Sequence, residues 1–157
     1  MAVKLLKHFV SKMPKDAEIV ALCLYSADKE DLKEKLRCIP QVTVVTVDGF
    51  QANEADLTYV LTTRSVEKLD EETEKVLEFI QDKRRSTVAL SRSRHGLVLH
   101  GNLNTLAAGD VWRKFIDAAV ERTYVTDPND YLNSLENSCP IPKLVDRSKP
   151  LWPSRST

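Results

Sequence analysis

Between Lys83 and His95 the chain carries five bases, Lys83, Arg84, Arg85, Arg92 and Arg94, and no acid. Cationic side chains in such a block can hold phosphate oxygens or can form a solvated face, and the block alone does not choose between the two. Gly96 and Gly101 have the spacing of a phosphate-cradling loop. Asn102-Leu103, however, stands where that loop needs Lys followed by Ser or Thr, and the run reads as a strand. That reading is rejected. His8, His95 and His100 share no metal-like spacing and read as surface or strand-end residues. Cys23, Cys38 and Cys139 are odd in number and form no Cys-x-x-Cys pair, so no zinc site and no disulfide framework is expected. Cys23 lies in an apolar run and reads as a buried small residue.

A chain of 157 residues, 42% hydrophobic and 29% charged, has the size and texture of a soluble domain with one real core. Its 23 bases balance 23 acids, which argues against binding nucleic acid by bulk charge. The balance is uneven locally, because Glu67 to Asp82 holds seven acids and two bases just before the basic block. No apolar run approaches the roughly 18 residues of a membrane span. Residues Met1 to His8 alternate bases with apolar residues and lack a signal-peptide core. An intracellular location, cytoplasmic or nuclear, and no membrane partner are expected.

These residues need elements to position them. Val3, Leu6, Phe9 and Val10 recur at helical spacing, which predicts a helix from about 2 to 13 that stops before Pro14. Glu18 to Tyr25 is nearly all apolar, the pattern of a strand buried on both faces. A helix over Lys29 to Arg37, capped by Ser26 or Asp28, separates it from the β-branched strand Val42 to Val47. Asp56 to Thr62 and Gly96 to His100 read as further strands, and Glu71 to Gln81 as a helix on its Val76, Leu77, Ile80 stripe. Thr87 to Leu90 fits helix or strand. Val111 to Val120 is predicted helical, with Val111, Phe115, Ala118 and Ala119 on one face and Trp112 with Phe115 as core anchors. Beyond Thr126 five of the seven prolines appear without a sustained period, so 126–157 is expected to be an extended or disordered tail after a domain at 1–125. Buried strands alternating with amphipathic helices predict an α/β domain with a mainly parallel sheet. Ligands in such sheets bind at the carboxyl ends of strands. Function is therefore sought at Tyr25–Asp28, Asp48–Glu54, Thr62–Ser65 and Gly101–Asn104.

Two stretches are specific. Thr46-Val47-Asp48-Gly49-Phe50-Gln51-Ala52-Asn53-Glu54-Ala55-Asp56, with a strand ending Thr62-Thr63-Arg64-Ser65, resembles motif V of superfamily 1B helicases. That motif usually runs Thr/Ser-Val-Asp-x-Phe-Gln-Gly-x-Glu-x-Asp. Arg84-Arg85-Ser86-Thr87-Val88-Ala89-Leu90-Ser91-Arg92-Ser93-Arg94, followed by a strand from Gly96, is similar to motif VI, and Gly101-Asn102, Leu106 and Trp112-Arg113 also match. The pattern is nearest to helicases of the nonsense-mediated-decay and tRNA-splicing-endonuclease type and covers about residues 15 to 120.

The resemblance implies a RecA-like three-layer fold, specifically the second motor domain. It implies that Arg92 is the arginine finger, with Arg94 as a helper near the nucleotide. Glu54 would approach the nucleotide, and Gln51 would link it to the nucleic-acid groove. Thr46, Thr62, Thr63 and Arg64 would contact the backbone of single-stranded RNA or DNA. Plain alternatives stand beside these: a surface salt bridge for Arg92 and strand-end hydrogen bonding for the threonines. The phosphate-binding loop and Mg²⁺-holding acids of the first motor domain have no counterpart in this sequence. ATP and Mg²⁺ are therefore expected only with a P-loop RecA-like domain in cis or trans, and the chain alone should not turn over ATP. Ala52 replaces the motif V glycine, Asp28 a common Gln and Thr87 a usual Asn. The other function left open is a helicase-like paralogue acting as a non-catalytic protein- or RNA-binding module.

Overall fold

The apolar runs without alternation become the inner strands of one sheet. In the computed structural model, which describes residues 1–62, 71–123 and 125–138, β1 (Ile19–Cys23) is buried at every position. β3 (Ala55–Thr62) is buried everywhere except at Asp56. β2 (Val42–Thr46) and β4 (Ser93–Gly101) keep half-exposed positions and lie at the edges. The order is β2-β1-β3-β4 and every pairing is parallel, so the predicted α/β class with a parallel sheet holds. α1 (Ala2–Lys12) precedes the sheet, α2 (Ser26–Lys35) joins β1 to β2, α3 (Glu71–Gln81) and α4 (Lys83–Ser91) lie between β3 and β4, and the short α5 (Leu103–Leu106) follows β4. Phe9 of α1 packs its ring 6.3 Å from that of Tyr59 in β3.

Local chemistry sets the boundaries. α2 begins earlier than expected: Tyr25, in extended conformation, is its N-cap residue and Lys29 N–H donates to the Tyr25 carbonyl at 3.1 Å. Ser26 and Asp28 are thus inside the first turn rather than capping it, where Asp28 complements the helix dipole. The ambiguous stretch Thr87 to Leu90 is helical, because Asp82 breaks α3 from α4 and caps the new helix, accepting from Arg84 N–H at 2.9 Å and Arg85 N–H at 3.3 Å.

The chain divides into two compact units, residues 2–113 and the residues from 114 onward, and α6 (Asp110–Arg122) spans the division. In the first unit Gly109 allows the chain to enter α6 at close quarters: an added Cβ would lie 2.4 Å from the Ile80 carbonyl oxygen and 2.9 Å from Trp112. Trp112 is fully buried, as expected of a core anchor, whereas Phe115 is half-buried. The predicted face of α6 is turned by about one residue: Trp112 and Ile116, four apart, are the buried pair, and Ala118 is exposed. Within the second unit, residues 128–137 correct the expectation of an extended tail, since Pro128–Asn137 is a helix, α7. Asp127 caps it by accepting from Asn129 N–H at 2.8 Å, Pro128 opens its first turn, and Ser138 closes it with a left-handed φ of 52°. Residues 139–157 of the predicted tail lie outside the described residues.

Candidate functional site

The 47–54 loop runs beside α4. At one end the Arg85 Nε–H donates to Asp48 Oδ1 at 3.0 Å. At the other, Ala55 N–H donates to the Arg92 carbonyl at 3.0 Å. Asp48–Phe50 forms a 3-10 turn at the head of this loop, pinned by Gly49 N–H donating to Thr46 Oγ1 at 3.2 Å, and Phe50 is buried beneath it. The loop and α4 therefore travel the same way, from the carboxyl end of β2 to the amino ends of β3 and β4. Gln51 and Glu54 project exposed side chains from the loop, and Arg92 ends α4.

Arg85 is held at three points: Asp48, Asp82 Oδ2 at 3.8 Å, and the Phe79 ring, whose centroid lies 4.5 Å from its guanidinium carbon. Arg94 is paired with the Glu18 carboxylate and with Asp56 Oδ1, the latter at 3.3 Å. Arg92 differs from both. It is half-buried, its Nε is enclosed without a hydrogen-bond partner, and it forms no ion pair among the described residues. An enclosed guanidinium nitrogen without an acceptor is costly unless a ligand supplies one.

The predicted residues thus fall at two ends of the sheet. Glu54, Arg92 and Arg94 lie at the amino ends of β3 and β4, contrary to a simple carboxyl-end rule. Thr46 and Thr62 end β2 and β3 at the carboxyl side, and the seven steps of β3 from Ala55 separate Thr62 by about 23 Å. Thr62 is buried and its hydroxyl donates to the His100 carbonyl at 3.2 Å, the strand-end bond that was one of its two readings. Gly101 makes this contact sterically feasible, since a Cβ there would sit 1.5 Å from Thr62 Oγ1. Thr46 Oγ1 acts as an acceptor, which leaves its proton available to a phosphate oxygen. Thr63 and Arg64 lie outside the described residues. Ala52, in the motif V glycine position, has a φ of 63°.

Asp48, Glu18 and Asp56 are site-shaping residues whose partners lie 37 to 76 positions away in sequence, so no spacing pattern reveals them. The other reactive groups are quiet. Burial pushes the Cys23 thiol up to about 12, which removes it as a nucleophile at neutral pH. Burial also raises the Tyr59 phenol and lowers the His100 imidazole, and the two groups hydrogen-bond to each other. His100 is therefore the strand-end residue of its two readings, half-buried near the end of β4. No helix among the described residues is long and apolar enough to cross a membrane.

A four-stranded, all-parallel sheet flanked by helices is the architecture of an α/β domain of the RecA-like kind. Residues 1–104 match the family described as an AAA domain. The chain is 35% identical over 88 residues to Helicase sen1 of Schizosaccharomyces pombe, covering 56% of this chain and 5% of that protein. It is 38% identical over 76 residues to Regulator of nonsense transcripts 1 of Caenorhabditis elegans, covering 48% of this chain and 6% of the relative. With ATP-dependent helicase upf1 of Schizosaccharomyces pombe the identity is 34% over 95 residues, 60% of this chain and 9% of the relative. The chain belongs to this family, as a second RecA-like domain of the superfamily 1B helicase type. It spans under a tenth of the length of those relatives.

Proposed function

We propose that the chain is the second motor half of an ATP-dependent RNA or DNA helicase and supplies its arginine finger from Arg92. The observation that carries this reading is the enclosed, unpartnered Nε of Arg92 at the end of α4, beside the loop bearing Gln51 and Glu54. A γ-phosphoryl group held on a P-loop domain gains negative charge on its oxygens during transfer to water, and a guanidinium brought against it stabilises that charge. Mg²⁺, when bound with ATP, neutralises phosphate charge; the acids for it belong to the P-loop partner. Gln51 and Glu54 face the nucleotide from this side. Arg94, whose charge already meets two carboxylates, is less suited to a phosphate than Arg92.

At the other end of the sheet, Thr46 offers a hydroxyl proton to a nucleic-acid phosphate. Thr62 contributes there through its bond to the His100 carbonyl, because its one proton is already committed. Such contacts read backbone rather than sequence. The protein works inside the cell, in cytoplasm or nucleus, with single-stranded RNA or DNA and a P-loop RecA-like domain as its partners.

The test is steady-state ATP turnover by the purified chain, alone and joined to a P-loop RecA-like domain. The chain alone is expected to match buffer. The joined protein is expected to show nucleic-acid-stimulated turnover that Arg92→Ala lowers by about 10³-fold. Turnover by the chain alone, or an Arg92→Ala joined protein as fast as its parent, would overturn the assignment. A joined protein that binds RNA but never hydrolyses ATP would favour a non-catalytic module.

A further inference from the structure

We propose that Arg94, clamped between Asp56 and Glu18, is a positioning residue that fixes Arg92 against the end of the Gln51–Glu54 loop; this rests on the reading of Arg92 as the phosphate-facing arginine. Arg92 has no hydrogen bond at Nε and no ion pair among the described residues, so nothing polar orients its side chain. Its orientation comes from the packing that encloses Nε and from the backbone that carries it. Beyond its own helix, that backbone is tied to the neighbouring strand where Ala55 N–H donates to the Arg92 carbonyl.

The clamp lies one residue beyond that tie. Ala55 pairs with Ser93 but Leu57 pairs with Gly96, so Arg94 and His95 together face the single residue Asp56. Successive residues in a regular strand point to opposite faces, and a bulge breaks that alternation. Both side chains therefore reach one carboxylate: Arg94 Nε lies 3.3 Å and His95 Nε2 3.7 Å from Asp56 Oδ1. The Glu18 carboxylate takes another nitrogen of the same guanidinium. Glu18 and Asp56 are also locked to each other. Glu18 N–H donates to Asp56 Oδ2 at 2.9 Å, and the Glu18 carbonyl accepts from Asp56 N–H at 2.9 Å and Leu57 N–H at 3.1 Å. Arg94 thereby joins the entries to β1, β3 and β4 at one point. A planar guanidinium can bridge two carboxylates in a fixed geometry, whereas a lysine ammonium is a single rotating point charge. With side chains 40% and 62% exposed, the Arg94–Glu18 pair adds little to global stability, and its effect is local.

The test is NMR of the ¹⁵N-labelled chain and its Arg94→Gln, Arg94→Lys and Asp56→Asn variants, with the Arg92 Nε–Hε signal assigned by Arg92→Lys. In all three clamp variants the Ala55 amide is expected to exchange about 10-fold faster while the Val60 amide in mid-β3 keeps its rate. The unfolding midpoint should move by no more than about 4 °C, and the Arg92 Nε–Hε signal should shift or broaden. Unchanged Ala55 and Arg92 signals would overturn the proposal. So would changes that only follow Val60, which mark a general loss of stability, or full rescue by Arg94→Lys. No nucleotide enters this measurement, so its failure leaves the finger assignment standing, and failure of the turnover test leaves the clamp standing.

Discussion

Ala52 occupies a left-handed backbone position with φ 63°, where helicases of this type usually have glycine. For a residue with a Cβ this conformation costs roughly 1–2 kcal/mol, because the methyl crowds the neighbouring carbonyl. Ala52→Gly removes that crowding but raises the entropy of the unfolded chain, an opposing effect of about 0.5–1 kcal/mol. The balance favours glycine, so the variant is expected to be more stable by about 0.5–1 kcal/mol. Urea unfolding should show a higher midpoint with an unchanged slope; an equal or lower midpoint would show that the loop relieves the strain in some other way. The sequence alone marks Ala52 as a departure from the motif, and the backbone angle supplies its physical meaning. The same holds at Arg92: residue type and motif order single it out, but its lack of an acceptor, against the partners of Arg85 and Arg94, is a three-dimensional fact.

At the scale of elements, legibility follows burial. β1 and β3 are readable because strands covered on both faces need apolar residues throughout. α4 is not, because Thr-Val-Ala-Leu has no distinguishing period and the deciding residue is the Asp82 cap before it. α7 is hidden by the proline-rich stretch that it opens, although Asp127-Pro128 is itself a helix-start signal. The alignment of the 47–54 loop with α4 is set by contacts 37 residues apart and has no local signature. The pairing of β3 with β4 carries its own pH dependence. His100 is held below its ordinary range by burial while hydrogen-bonded to Tyr59 across these strands. The unfolded chain takes up a proton near pH 6.5, which the folded chain resists. Stability from this site is therefore full above about pH 6.5 and is lost as pH falls from there through the lower folded value. The gap in unfolding free energy between the chain and His100→Gln should narrow from pH 7.5 to 5.5. Parallel curves would mean that His100 does not titrate differently on folding.

At the scale of the whole molecule, zero net charge and a basic block pull in opposite directions, and the ion pairs resolve them. Of the five bases from Lys83 to Arg94, Arg85 is held by Asp48 and Asp82, and Arg94 by Glu18 and Asp56. Lys83, Arg84 and Arg92 have no ion-pair partner among the described residues. Each phosphate neutralised on a single strand contributes about −0.7 to the slope of log affinity against log salt. Arg92 is half-buried and assigned to the nucleotide, so Lys83 and Arg84 are the cations this block offers to a nucleic-acid strand, and they predict a slope of roughly −1.4, with dissociation constants near about 10⁻⁴ M at physiological salt. Backbone contacts of this kind do not distinguish bases, so oligonucleotides of different sequence should bind alike. Lys83→Gln with Arg84→Gln should bring the slope close to zero, because each removes a contact worth about −0.7. Titrating labelled single-stranded RNA at three salt concentrations tests all of this together. A slope of −5 or steeper would require cations outside the Lys83–Arg94 block. Tight, sequence-selective binding that persists at high salt would place the recognition surface elsewhere on the chain and separate RNA binding from the motor face altogether.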